Sequence, residues 1–397
     1  MTHRIAILPG DGIGPEIMQA AETILECVSK KTGVQFECEW AEVGGAAIDA
    51  CGKAMPESAL RVCEDAEAVL LGTLGGPKWE NLPPEEQPEQ GVLLPLCRQL
   101  KVCVHIRNFF IHPEAVSWSP LKEQFVTDWL DFESVLFCEP PRSAPEICVR
   151  RCPDIMLVST YGGAKSAVER AARLAFGMAM KRGRNLTLTD NTNVHPGMAY
   201  WRECARALAA EYPDVQLDYM YAHDAAEQLI RNPVQFDVLL TDAIIGDILG
   251  HECLAVTGIK GMAPSAFLDK YGFGIFTPAC GPMHGIAGKN IANPIGQILS
   301  LAMLLRHSFG LEDEGKLITM AAFNAIRCVC ETFNDDSLEK KITGTKEMSE
   351  LVSETYMNTK IIDGSDPAAL EKGLEDFEKA IKDLLEEDEE EDEDESL

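Results

Sequence analysis

The sequence predicts an α/β protein with a substantially parallel sheet, divided into two lobes and carrying an added C-terminal helix and an acidic tail. Three observations lead there. Short β-branched runs alternate with helix-period segments over most of the chain, and its 397 residues exceed what one hydrophobic core usually organises. The pattern then changes after residue 360. Alternation places helices in the connections between strands, which favours parallel pairing.

Taken in order, the first strand is RIAIL (4–8), which runs into the glycine-rich turn GDGIGPE and then a helix. Gly10, Gly12 and Gly14 let backbone approach a ligand closely, although the spacing is not the GxGxxG dinucleotide fingerprint. Further strands are expected at EAVLLGT (67–73), ESVLFC (133–138), NLTLT (185–189), VQLDYMY (215–221) and FDVLL (236–240). Helix-period patterns occupy 164–181 and 196–211. The segment IIGDILGHEC (244–253) also reads as a helix, with Asp247 and His251 four residues apart on one face.

Beyond residue 360 a separate helix is expected over 361–385. Ser365 or Asp366 can cap it, Pro367 suits its first turn, and Leu370, Leu374, Phe377, Ile381 and Leu384 form one apolar stripe. Docking on its own body and pairing with a partner are both open to it. Residues 386–397 then begin with ten consecutive acidic residues, Glu386 to Glu395, and are expected to be disordered.

Composition limits the partners. A formal charge of −29 disfavours nucleic acid and anionic membrane surfaces. No apolar run reaches the ~18 residues a membrane span needs. The closest is IGQILSLAMLL, at 295–305. The opening MTHRIAIL is unlike a signal peptide, and fourteen cysteines scattered without CxxC spacing suggest reduced thiols, so a cytoplasmic setting is expected.

Several blocks in order then carry a resemblance: GTLGGPKWENLPPEEQPEQGVLLPL (72–96), HIRN (105–108), FDVLL through GDIL (236–249), TGIKGMAPSA (257–266) and GIAGKNIANPIGQILSLAMLLRHSFG (285–310). From residue 4 to about 355 the chain resembles the isocitrate/isopropylmalate dehydrogenase family, nearest its 3-isopropylmalate dehydrogenase members. The resemblance implies that family's two-lobed fold, with one lobe from 1–105 plus 258–360 on the cofactor side and the other from 106–257 on the dimer, metal and substrate side. It also implies a homodimer that uses NAD and Mg²⁺ or Mn²⁺ to oxidise and decarboxylate a 2-hydroxy acid in leucine biosynthesis. In such a site arginines hold the carboxylates, a lysine and a tyrosine move protons, and three aspartates hold the metal.

Matched residue by residue, the substrate-arginine positions fall on Cys97, Arg107 and Cys138, of which Arg107 alone is an arginine. RSAPEIC (142–148) stands where the tyrosine block belongs, and Tyr161 lies too far on to replace it. The lysine position is Asn191, an amide with no accessible pKa near neutrality. The metal aspartates match His223, Asp247 and His251, with Asp224 a register-shifted neighbour of the first. At the cofactor, Thr73, Glu89, Ile286 and Asn293 match family positions, while Gly285 replaces the acid that reads the adenosine ribose.

These replacements predict a divergent or catalytically inactive paralogue that binds a small molecule or regulates, as a homodimer or as a heteromer with an active homologue. An active NAD-dependent dehydrogenase on a related 2-hydroxy acid is a second expectation. An interaction protein working through the C-terminal helix and tail is a third. In the family one metal aspartate comes from the partner subunit, so His223 of one chain would face Asp247 and His251 of another. That donor set suits Zn²⁺ or Fe²⁺ better than Mg²⁺, with Cys97 and Cys138 lining the same cleft.

Overall fold

The computed structural model describes residues 2–102, 104–109, 119–120, 132–137, 148–152, 155–159, 165–258, 261–269, 271–334 and 344–359. Cys138, residues 142–147 of the RSAPEIC segment, Tyr161, the expected helix over 361–385 and the acidic tail lie outside the described residues.

The chain begins β1 (Thr2–Gly10), α1 (Gly14–Thr32), β2 (Gln35–Trp40), α2 (Gly45–Cys51), α3 (Glu57–Asp65), β3 (Ala68–Thr73) and α4 (Pro88–Leu100). It continues through β4 (Val104–Phe109), β5 (Phe132–Phe137), β6 (Cys148–Cys152), β7 (Ile155–Ser159), α5 (Lys165–Lys181), β8 (Asn185–Asp190) and α6 (Ala199–Ala209). Then come β9 (Gln216–Tyr221), α7 (Ala222–Arg231), β10 (Val238–Thr241), α8 (Ala243–Thr257), β11 (Pro264–Leu268), β12 (Gly274–Pro278), α9 (Ile295–His307), α10 (Glu312–Asn334) and α11 (Thr345–Asn358).

Ten strands form one sheet in the order β2-β1-β3-β12-β11-β4-β5-β10-β8-β9, and β6 and β7 pair separately. Pairing is parallel on both flanks, through β2–β1–β3–β12 and through β5–β10–β8–β9. It is antiparallel across the middle, where β11 lies between β12 and β4 and β4 pairs β5. The sheet is therefore mostly parallel, as expected. Strands β3, β10 and β11 are buried at every position because helices cover both faces.

Each strand expected from the sequence is present. Strands β2, β4, β6, β7, β11 and β12 were not expected, and β11 and β12 sit among glycine and proline. The run IGQILSLAMLL became α9, in which every residue from Ile295 to Leu305 is buried, so it is the central helix of the largest hydrophobic cluster. Among the described residues no helix is long and apolar enough to cross a membrane. At the far end Lys31 donates to the carbonyls of Tyr356 (2.7 Å) and Thr359 (2.8 Å), tying the end of α1 to that of α11.

Candidate functional site

The turn after β1 is built around Asp11, a buried carboxylate that accepts from the backbone of Gly45 (3.0 Å), Ala46 (3.1 Å) and Gly75 (2.9 Å). Charge-assisted acceptance from three amides locks α2 and the 72–76 turn against β1. Gly12 has φ +61°, and a Cβ there would lie 1.8 Å from the Pro282 carbonyl oxygen. Only glycine lets the loop 281–293 close on the turn this tightly. The position of Asp11 between two glycines was the available sequence signal, but spacing could not say which amides it would serve.

Around that turn the cofactor-matched positions gather. His284 Nε2 lies 2.8 Å from the Gly75 carbonyl oxygen, and the Glu89 carboxylate lies where a Gly75 side chain would go. Thr73 is buried with its hydroxyl donated to the Asp11 carbonyl at 2.6 Å. Asn293 Oδ1 accepts from Ile295 N (3.0 Å) at the start of α9, and Ile286 packs on Ile13, Ile17 and Ala292. Thr73, Asn293 and Ile286 thus have clear structural roles. Gly285 borders open space, and Lys289 Nζ donates to its carbonyl at 2.8 Å. The glycine-lined cradle fits the frame of a dinucleotide, but position 285 offers no carboxylate to a ribose.

The second group sits on β4 and α8. Asp242 starts α8 by accepting from Ile244 N (2.7 Å) and Ile245 N (3.0 Å), and burial pushes its carboxyl up. One turn on, Asp247 accepts from Arg107 Nη2 at 2.8 Å, and Gly250 leaves room for that guanidinium: a Cβ there would lie 2.6 Å from Arg107 Nη1. His251 Nδ1 lies 2.9 Å from the Asp247 carbonyl oxygen and 3.5 Å from its Oδ1. Arg107 is buried, whereas the Asp247 and His251 side chains are 60% and 65% exposed.

The spacing argument therefore holds for Asp247 and His251 but does not extend to His223. That side chain stacks on Tyr221 at 5.6 Å, with Asp224 Oδ1 3.6 Å away, at the start of α7. Among the described residues no group of three His, Cys, Asp or Glu is placed to hold a metal ion. Asp247 alone supplies a carboxylate at the three matched positions, and it is already salt-bridged to Arg107. A hard cation such as Mg²⁺ takes oxygen ligands, so this donor set does not fit it.

Asn191 follows β8 and its carbonyl accepts from Val194 N (3.0 Å) and His195 N (2.7 Å), making a turn. Its neighbour Asp190 is fully buried and bound to Arg202 through two contacts of 2.5 and 3.1 Å. Cys97 corrects an expectation. It is 3% exposed and packs with Val92, Leu96, Val102 and Phe267, because its face of α4 turns into a hydrophobic cluster instead of lining a cleft.

A family model for isocitrate/isopropylmalate dehydrogenase matches residues 4–352. The chain is 42% identical over 358 residues to a protein named 3-isopropylmalate dehydrogenase from Syntrophotalea carbinolica, covering 88% of this chain and 97% of the relative. It is 40% identical over 365 residues to one of the same name from Aliivibrio fischeri, covering 90% and 99%. Among solved structures, an isocitrate dehydrogenase from Methylococcus capsulatus superposes with a TM-score of 0.72 at 25% identity, covering 89% of this chain and 99% of that one. A beta-decarboxylating dehydrogenase from Thermococcus kodakarensis gives 0.66 at 27%, covering 89% and 96%.

Proposed function

The chain belongs to the isocitrate/isopropylmalate dehydrogenase family, and from that premise we propose that it is a 3-isopropylmalate dehydrogenase-like subunit that keeps the family's cleft and has given up its turnover. One observation carries this reading. Arg107 and Asp247, the remaining members of the matched substrate-arginine and metal-aspartate sets, are bound to each other at 2.8 Å. Around them Asn191 cannot take or return a proton, and His223 and His251 replace the oxygen donors a hard cation wants. Losing one proton-transfer group commonly costs ~10²–10⁴ in rate, and losing groups that act together approaches background.

The family uses NAD and Mg²⁺ or Mn²⁺, and the glycine cradle at 72–76 and 281–289 supports retained dinucleotide binding. We assign a weakened affinity because position 285 lacks its acid. The metal reading is that any bound cation is Zn²⁺ or Fe²⁺, held by His223 of a second chain with Asp247 and His251. Pairing with a second copy, or with an active homologue, fits the outward face of α8. There Ile244 and Ile248 are 49% and 64% exposed beside Asp247 and His251.

The test is NADH formation, followed by absorbance, with 3-isopropylmalate and Mg²⁺ or Mn²⁺. We expect no rate above background, together with a thermal shift on adding NAD. Turnover of ~1 s⁻¹ or faster, ordinary for a working enzyme, would overturn the reading and favour the alternative of an active dehydrogenase on this or a related 2-hydroxy acid.

A further inference from the structure

At the edge of the sheet, beside β9, lies a cleft of about 490 Å³ lined by Arg202, Tyr219, Tyr221, Asp224, Gln228 and Gln235. Asp224 apart, none of these stands at a substrate, metal or cofactor position named above.

Its chemistry is unusual for an acidic protein. The guanidinium of Arg202 is held flat by both oxygens of buried Asp190 and sits 5.4 Å from the ring centre of Tyr219 and 5.3 Å from that of Tyr221. Its charge is neutralised from behind, so it contributes a rigid planar surface more than a free cation. Across the cleft Gln235 Nε2 donates to Gln228 Oε1 (3.0 Å) and to the Asn232 carbonyl (2.8 Å). Those two bonds fix both amide orientations and, among the described residues, leave Gln228 Nε2 as a donor and Gln235 Oε1 as an acceptor without a partner.

We propose that this cleft binds a neutral nucleoside through its base. The ring stacks on the arginine–tyrosine platform, and an amino group beside a ring nitrogen, as in adenine or cytosine, meets the donor and acceptor of the glutamine pair. Stacking on aromatic side chains tolerates any base, whereas the amide pair selects the edge. The volume suits a small molecule. A phosphate is disfavoured, because Asp224 lines the cleft and the chain carries a formal charge of −29.

Saturation-transfer NMR on the full chain with adenosine, and separately with cytidine, tests this. Base protons should receive saturation, and Gln228→Leu and Tyr219→Leu should each weaken binding roughly tenfold, as expected for a lost amide hydrogen bond or stacking surface. Absence of saturation for both nucleosides at millimolar concentration overturns the proposal. So does adenosine binding that survives both leucine substitutions and is displaced by NAD, because that result puts the base in the glycine-lined cradle. Neither outcome depends on whether the chain turns over isopropylmalate.

Discussion

His105 shows how much one residue's surroundings decide. It lies in the HIRN block that announced Arg107, but in the fold it is a core ring, stacked on Phe267 at 4.0 Å. Burial, and then the charge of Arg107, holds its imidazole well below the usual range, while burial pushes His307 down to about 4. An unfolded histidine titrates near 6.5. As pH falls from 6.5 toward 4 the unfolded chain therefore takes up protons that the folded chain refuses. Stability is fully present above that window and is lost on acidification through it. Urea unfolding at pH 7 and pH 5 should show His105→Phe losing less stability than the parent, by up to about 1.4 kcal/mol per pH unit. An equal loss in both proteins would remove His105 as a cause. At this scale the sequence was legible where chemistry is intrinsic, as with the amide of Asn191 or the imidazoles of His223 and His251. It was not legible where a role depends on distant partners: Asp11 serves amides 34, 35 and 64 residues away, and Cys97 faces a cluster only the folded chain creates.

Among the elements, α8 was the best anticipated, because i,i+4 spacing fixes Asp247 and His251 on one face whatever the tertiary context. Its outward isoleucines add a second consequence. If that face meets another chain, Ile248→Lys should turn a dimer into a monomer in light scattering, leaving the far-ultraviolet circular dichroism unchanged. A dimer of unaltered mass would exclude the face. Strands β4, β11 and β12 escaped notice for a physical reason: their pairing is non-local, and β11 finds β4 from more than 150 residues away. Local pattern carries little information about such pairings.

For the molecule as a whole, charge is the property most exposed to test. A formal charge of −29 sets like charges against one another in the compact state, and salt screens that repulsion. The thermal midpoint should rise between low salt and ~0.5 M NaCl, where the screening length falls below ~5 Å. A midpoint that falls would show that attractive pairs such as Arg182–Asp237 and Arg173–Glu211 outweigh the excess.

The sheet constrains motion at the same scale. Strands β11, β4 and β5 join its two parallel flanks by continuous antiparallel ladders. Among the described residues these ladders connect the half that carries the glycine cradle directly to the half that carries Asp247. Gaping of the molecule must accordingly be absorbed as torsion along three short hydrogen-bonded ribbons. Its amplitude is thereby limited, and both rims of the mouth have to move in concert.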